Sequence, residues 1–292
     1  MMFEDFSFTH ADITYTGLCN QRNDKPTVVC LHGYLDNAAS FIPIAPFLED
    51  FNLVALDMCG HGKSFHRANG HAYHLTDFVF DAALCITSLL QTRKEKKVFL
   101  VGHSLGGIVG SILTATYPEL IRALVSVEAC GPLTADEQTT TGQIKASMES
   151  RMQIMNSMQK KDNRTFSQVV KARSVISDID ESLSRLIMSR NCEDSNEGLL
   201  WSSDRSLRTK SVMRMTEKQA QNILSSIAVP MLLVLGEQGF EKVKRNLANR
   251  VDVMDALVDV KECKGGHYVH MQQPQAVAEQ IRAFFNMTEE LS

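Results

Sequence analysis

The sequence predicts an α/β protein: a mostly parallel, doubly wound sheet interrupted by one long helical insertion. Three observations predict it. Short unbroken apolar runs recur along the chain, helical patterns fall between most of them, and a central stretch of about 90 residues shows helical periodicity alone. Unbroken β-rich runs mark strands covered on both faces, as in a parallel sheet between helix layers.

Residues 3–16 alternate loosely through Phe6, Phe8, Ile13 and Tyr15 and read as an opening β-hairpin. From Pro26 the texture changes. TVVCL (27–31) stops at His32-Gly33, and NLVALD (52–57), KVFLVGH (97–103) and ALVSVEAC (123–130) follow. MLLVLG (231–236) repeats the pattern much later, and VDVKEC (258–263) is a weaker version. Residues 75–91 carry apolar side chains at Phe78, Ala82, Cys85, Ile86 and Leu89, spaced by three and four, with Thr76 or Asp77 to cap the helix. Residues 105–117 read as a helix halted before Pro118, and 276–285 as a C-terminal helix. Strand alternating with helix implies the doubly wound arrangement.

The middle differs. Between 133 and 226 no buried strand is evident, only helical segments at 142–160, 165–177, 180–190 and 216–226. That is too long for a loop. It reads as a helical cap inserted into a core domain formed by residues 1–132 and 227–292. Met148, Met152, Met155 and Met158 recur at helical spacing. Packing is the expected role, since methionine fills irregular gaps. The alternative is a cap that lines a substrate cleft with Met, Trp201 and Phe166.

Bulk properties exclude several function classes. Of 292 residues, 44% are hydrophobic and 22% charged, which is ordinary globular composition. A net charge of −4 with signs interspersed lacks the basic footprint of a nucleic-acid binder. The seven cysteines are odd in number and include no CxxC pair, so neither a disulfide framework nor a zinc site is expected. Buried, reduced thiols fit them better. The first residues lack a basic, signal-like start, and no run approaches the ~18 apolar residues of a membrane span. The expectation is a soluble cytoplasmic protein, and oligomeric state is not written in the sequence.

Residues 102–106 read Gly102-His103-Ser104-Leu105-Gly106 and lie between a predicted strand and a predicted helix. In that context G-x-S-x-G places the serine at the tip of a sharp, strained turn, its hydroxyl exposed beside a helix N-terminus. A serine hydroxyl needs a base. In folds built around this turn the chain order is serine, acid, histidine. Gly265-Gly266-His267 follows the last strand, so His267 is the expected base, with His270 second. Glu128 ends the apolar strand ALVSV, where a buried charge must be paired, and is the expected acid. Glu237, after MLLVLG, is the alternative. Two backbone N–H groups are expected to form an oxyanion hole: that of Leu105, after the nucleophile, and that of Tyr34, in the loop after the first core strand. Asp57–Ser64, with Gly60 and Gly62, reads as a structural turn.

HG at 32–33, DxxGHGxS at 57–64, GHSLGG at 102–107 and GGHxxH at 265–270 together resemble the α/β-hydrolase superfamily in order and approximate spacing. HGYLDNAASF, VALDMCGHGKS and EACGPLT look like its serine hydrolase-like (Kraken-like) branch. The resemblance covers nearly all of the chain outside the cap. It implies the α/β-hydrolase fold and a cofactor-free, metal-free enzyme acting on a small-molecule ester or related acyl substrate. It also implies that Ser104 matches the nucleophile position and His267 the base position. The departure is Gly239, where many members carry the acid; some place it where Glu128 stands. A serine nucleophile argues against dehalogenase and epoxide-hydrolase chemistry. The alternatives are a thioesterase, a lyase or a cofactor-free peroxidase-type activity on the same fold, and a non-catalytic binding protein.

Overall fold

A computed structural model describes residues 3–157, 162–196 and 198–290. The chain opens with β1 (Glu4–His10) and β2 (Ile13–Cys19), followed by β3 (Thr27–Leu31), β4 (Asn52–Leu56), α1 (Leu75–Gln91), β5 (Val98–His103), α2 (Leu105–Thr116) and β6 (Ile121–Val127). It then runs through α3 (Thr140–Asn156), α4 (Phe166–Ser177), α5 (Glu181–Asn191), the short strands β7 (Cys192–Ser195) and β8 (Gly198–Trp201), and α6 (Glu217–Ser225). It closes with β9 (Met231–Gly236), α7 (Glu241–Val251), β10 (Val258–Cys263), α8 (Val269–Gln272) and α9 (Pro274–Glu290).

The eight-stranded sheet has the order β1-β2-β4-β3-β5-β6-β9-β10. Only the pairs β1–β2 and β2–β4 are antiparallel. The unbroken apolar runs have a direct physical reason: alternate residues feed two separate cores. Val29, Leu31, Val54, Leu56, Leu100 and Leu233 face a cluster shared with α1, α2, α6 and α7. Val28, Cys30, Leu53, Phe99, Val101 and Val234 face a second cluster, covered by α9 and the segment 38–51. With both faces dry, most strand positions must be apolar, and Thr27, Asn52 and His103 stand at strand ends.

Several expectations change in detail. The cap of α1 is His74, whose N–H donates to the Asp77 carboxylate at 3.3 Å. β7 and β8 form a separate two-stranded sheet where only helices were expected; strands of four residues are too short to leave a periodic signal. α7 escaped the sequence reading because its apolar face is only Val243, Leu247 and Val251, spaced by four and half-buried.

β6 and β9 are neighbours in the sheet although α3–α6 intervene in sequence. A buried ion pair ties that excursion to the core. Arg190 of α5, 7% exposed, contacts both Asp57 carboxylate oxygens at 2.8 and 3.0 Å through Nε. Asp57 also accepts from the N–H groups of Ala38 and Lys63, at 2.9 and 3.0 Å. Burial pushes the Asp57 carboxyl upward, but the Arg190 guanidinium and these N–H bonds outweigh it and hold it below the ordinary carboxylate value. The turn at Asp57–Ser64 is thus a structural anchor. Arg190→Ala strands a buried carboxylate and is expected to cost about 3–5 kcal/mol in urea unfolding; a loss below about 1 kcal/mol contradicts the anchor. Because the Asp57 value is depressed, its contribution is complete above about pH 4 and is lost as pH falls through the folded value.

Among the described residues no helix is long and apolar enough to cross a membrane. The seven cysteines are free thiols, five of them buried.

Candidate active site

Ser104 sits between β5 and α2 with φ 51° and ψ −112°, a left-handed conformation that costs a non-glycine residue about 1–3 kcal/mol. The surroundings leave no alternative. A Cβ on Gly102 would stand 2.3 Å from the Gly106 carbonyl oxygen, and one on Gly106 would stand 1.9 Å from that of Leu31. Ser104 N–H donates to Val127 C=O at 2.9 Å and Gly106 N–H to His32 C=O at 3.0 Å, so the turn is bonded to strands on both sides.

His267 lies in the loop after β10, far away in sequence, and reaches the same sheet edge. Its Nε2 is 2.9 Å from Ser104 Oγ, and its Nδ1 is 3.2 Å from Glu128 Oε2. Glu128 directly follows β6 and is 2% exposed. Its Oε1 accepts from Gly236 N–H and its Oε2 from Phe240 N–H, both at 2.7 Å. Burial raises the Glu128 pKa, but the bonds from His267, Phe240 and Gly236 outweigh it and hold it below the usual carboxylate range. An ionised carboxylate only accepts, so Nδ1 carries the imidazole proton and Nε2 is left to accept from the Ser104 hydroxyl.

Gly239 makes room for the Glu128 side chain. A Cβ there would stand 2.1 Å from Glu128 Oε1, so the missing side chain makes the room that the Glu128 carboxylate fills. Glu237, the alternative acid, is solvent-exposed and makes no hydrogen bond to His267 among the described residues. The strand end turns its side chain outward. His270, the second candidate base, lies beneath the site, 1% exposed, with ring centroids 4.2 Å from His103 and 5.5 Å from Phe41. Burial lowers its pKa to about 3 and keeps it neutral. His103 Nε2 donates to the His267 carbonyl at 2.8 Å and so helps seat that loop.

The loop after β3 is fixed by two neutral histidines. His32 Nδ1 donates to Gly33 C=O at 2.7 Å, while its Nε2 accepts from Met58 N–H at 2.9 Å. His61 Nδ1 donates to Cys59 C=O at 3.0 Å, and its Nε2 accepts from Leu35 N–H at 3.2 Å. Burial depresses His61 to about 3. Neighbouring N–H groups are thus engaged, whereas those of Tyr34 and Leu105 donate to no group among the described residues. Both residues line the same cavity as Ser104, of about 640 Å³. A second, smaller cavity of about 290 Å³ contains His267 and Glu128 and shares Ser104 with the first.

The cleft-lining candidates Trp201 and Phe166 line neither cavity. They pack against Val169, Val170 and Leu199, and Trp201 Nε1 donates to Asp162 at 3.0 Å. Met148, Met152 and Met155 are 59%, 54% and 61% exposed, so they neither pack in a core nor line the site; Met158 lies outside the described residues. α3 buries only Ser147, which is why its methionine face points to solvent. The actual walls include Tyr73, Phe78, Ile108, Leu133 and Leu207, together with Gln143 of α3. Arg214, Lys242 and Arg245 line the smaller cavity and carried no sequence motif; for Lys242 and Arg245 the one signal is the spacing of Val243, Leu247 and Val251, which orients α7.

Residues 26–168 match the family model described as alpha/beta hydrolase fold. The chain is 30% identical to a serine hydrolase-like protein of Mus musculus over 287 residues, spanning 91% of this chain and 89% of that one. It is 28% identical to serine hydrolase-like protein 2 of Homo sapiens, spanning 90% and 88%. Among solved structures it resembles a hypothetical protein of Pseudomonas aeruginosa, with TM-score 0.88, 29% identity and coverage of 97% and 99%.

Proposed function

Because the chain belongs to the α/β-hydrolase family, with relatives named serine hydrolase-like, we propose that it cleaves a carboxylic ester or related acyl compound by two-step acyl transfer through Ser104, His267 and Glu128. The observation that carries this is the His267 ring, bonded at once to Ser104 Oγ and to Glu128.

Ser104 Oγ attacks the substrate carbonyl as His267 Nε2 takes its proton. The Glu128 carboxylate holds the Nδ1–H and stabilises the imidazolium that forms. The tetrahedral oxyanion is received by the N–H groups of Tyr34 and Leu105, each worth roughly 3–4 kcal/mol of barrier. The imidazolium returns its proton to the leaving group, and an acyl-serine remains. Water, deprotonated by the same ring, releases the acid and restores Ser104.

Residues 133–226 act as the cap over a core of 1–132 and 227–292. Thr139, Gln143 and Ala146 from the start of the cap, and Leu207 and Arg214 from its later part, line the larger cavity. The substrate is a small molecule held between the sheet edge and that cap. A fluorophosphonate probe is expected to label the native protein at the Ser104 peptide and to leave Ser104→Ala unlabelled. Labelling elsewhere, or equal labelling of the variant, sinks the proposal.

A further inference from the structure

The two cavities that meet at Ser104 differ in charge. The larger holds the oxyanion donors Tyr34 and Leu105 and is walled mainly by apolar side chains, with Lys210 and Arg214 its only charged residues among those described. The smaller holds His267 and Glu128 together with four cations: Arg214, Lys242, Arg245 and Arg250. Lys242, Asn246 and Arg250 recur every four residues, and Arg245 stands beside them, so one face of α7 is turned to this cavity.

Only one of the four cations is neutralised. Arg250 is 6% exposed and its guanidinium is taken by Glu217 through Nε and Nη2, each at 2.8 Å, with a further bond to Cys130 C=O. The side chains of Arg214, Lys242 and Arg245 make no ion pair or hydrogen bond among the described residues. Among the described residues no carboxylate lines either cavity except Glu128. Its two oxygens already accept from Gly236, Phe240 and His267. The cavity therefore presents an uncompensated positive field directly beside the nucleophile. Such a one-sign cleft concentrates ligands of opposite charge.

The position of that field tells which part of a substrate it meets. His267 protonates the departing atom, so the leaving group exits through the lobe that His267 lines. The oxyanion donors and apolar walls of the other lobe suit the acyl carbon and its chain. Resting on the serine-hydrolase reading, we propose that the natural substrate is an apolar acyl group joined to an alcohol or thiol that carries a negative charge, held by Arg214, Lys242 and Arg245. The reaction balances as acyl ester or thioester plus water giving free acid plus the anionic alcohol or thiol. The leaving oxygen or sulfur takes its proton from His267. Carboxylate and phosphate share the required chemistry.

The test uses matched pairs with the same scissile bond. The butyryl thioester of 3-mercaptopropionate is compared with the thioester of its methyl ester; for the phosphate arm, the butyryl ester of glycerol 3-phosphate is compared with that of glycerol. In at least one arm kcat/KM for the anionic member is expected to exceed the neutral one by about 10- to 100-fold, and the arm that shows it identifies the anion. The preference is expected to shrink as salt is raised. In Lys242→Met/Arg245→Met and in Arg214→Met the anionic-to-neutral ratio is expected to fall toward one. A ratio at or below one in both arms, cleavage of none of the four compounds, or variants that keep the wild-type ratio overturn the proposal, provided the protein still labels with fluorophosphonate at Ser104. Failure to label overturns the serine-hydrolase reading itself.

Discussion

Ser104→Ala is expected to lower kcat on an activated ester by a factor on the order of 10⁶ while leaving the fold intact. In the proposed mechanism the hydroxyl is the attacking atom: Ser104 Oγ bonds to His267 Nε2 and lines the same cavity as Tyr34 and Leu105. The same residue supplies an independent readout. Ser104 is held at φ 51°, so Ser104→Gly relieves backbone strain and is expected to raise stability by about 1 kcal/mol even as activity vanishes. Paired kinetics and denaturant unfolding check both. An alanine variant within tenfold of wild type removes Ser104 from the mechanism, and a destabilised glycine variant removes the strained elbow.

Glu128→Gln is expected to lower kcat by about 10⁴. The carboxylate accepts three N–H groups, from Gly236, Phe240 and His267. An amide offers one acceptor oxygen, so its NH₂ must face a donor, either Gly236 N–H or the pair Phe240 N–H and His267 Nδ1, and in both placements the negative charge that stabilises the imidazolium is gone. The geometry at Gly239 extends this to a rescue. Gly239→Asp alone places a Cβ 2.1 Å from Glu128 Oε1 and is expected to disable the enzyme by displacing that carboxylate. Glu128→Ala removes the obstacle. In the double variant the aspartate takes over the space, and kcat is expected to recover at least about tenfold over Glu128→Ala, through the non-additivity that neighbours in contact show. If the folded double variant is no faster than Glu128→Ala, the two positions do not share one acid-binding space.

The outline of this molecule was legible because its strongest physical demands are local. A strand buried on both faces must be apolar throughout, which is why 27–31, 52–56, 98–103 and 231–236 stand out. A serine in a strained strand-to-helix turn needs glycines around it. A charge such as Glu128 at the end of an apolar strand demands a partner. What was not legible follows from the same logic. α7 is a polar surface helix with three half-buried residues, so its pattern is faint. The methionines of α3 have helical spacing, and spacing does not distinguish a face turned to solvent from one turned inward.

From its own letters, then, the chain dictated the alternation of strands and helices, the site of the elbow and a short set of candidates for acid and base. Only the folded chain shows that Glu128, and not Glu237, bonds to His267, in the space left by a missing side chain at Gly239. Only the folded chain brought Arg214, Lys242 and Arg245 to the cavity beside Ser104, from segments more than 100 residues away. Periodicity records which face of a segment avoids water. It carries no information on which segments meet across the molecule, and the chemistry of this site is decided where they meet.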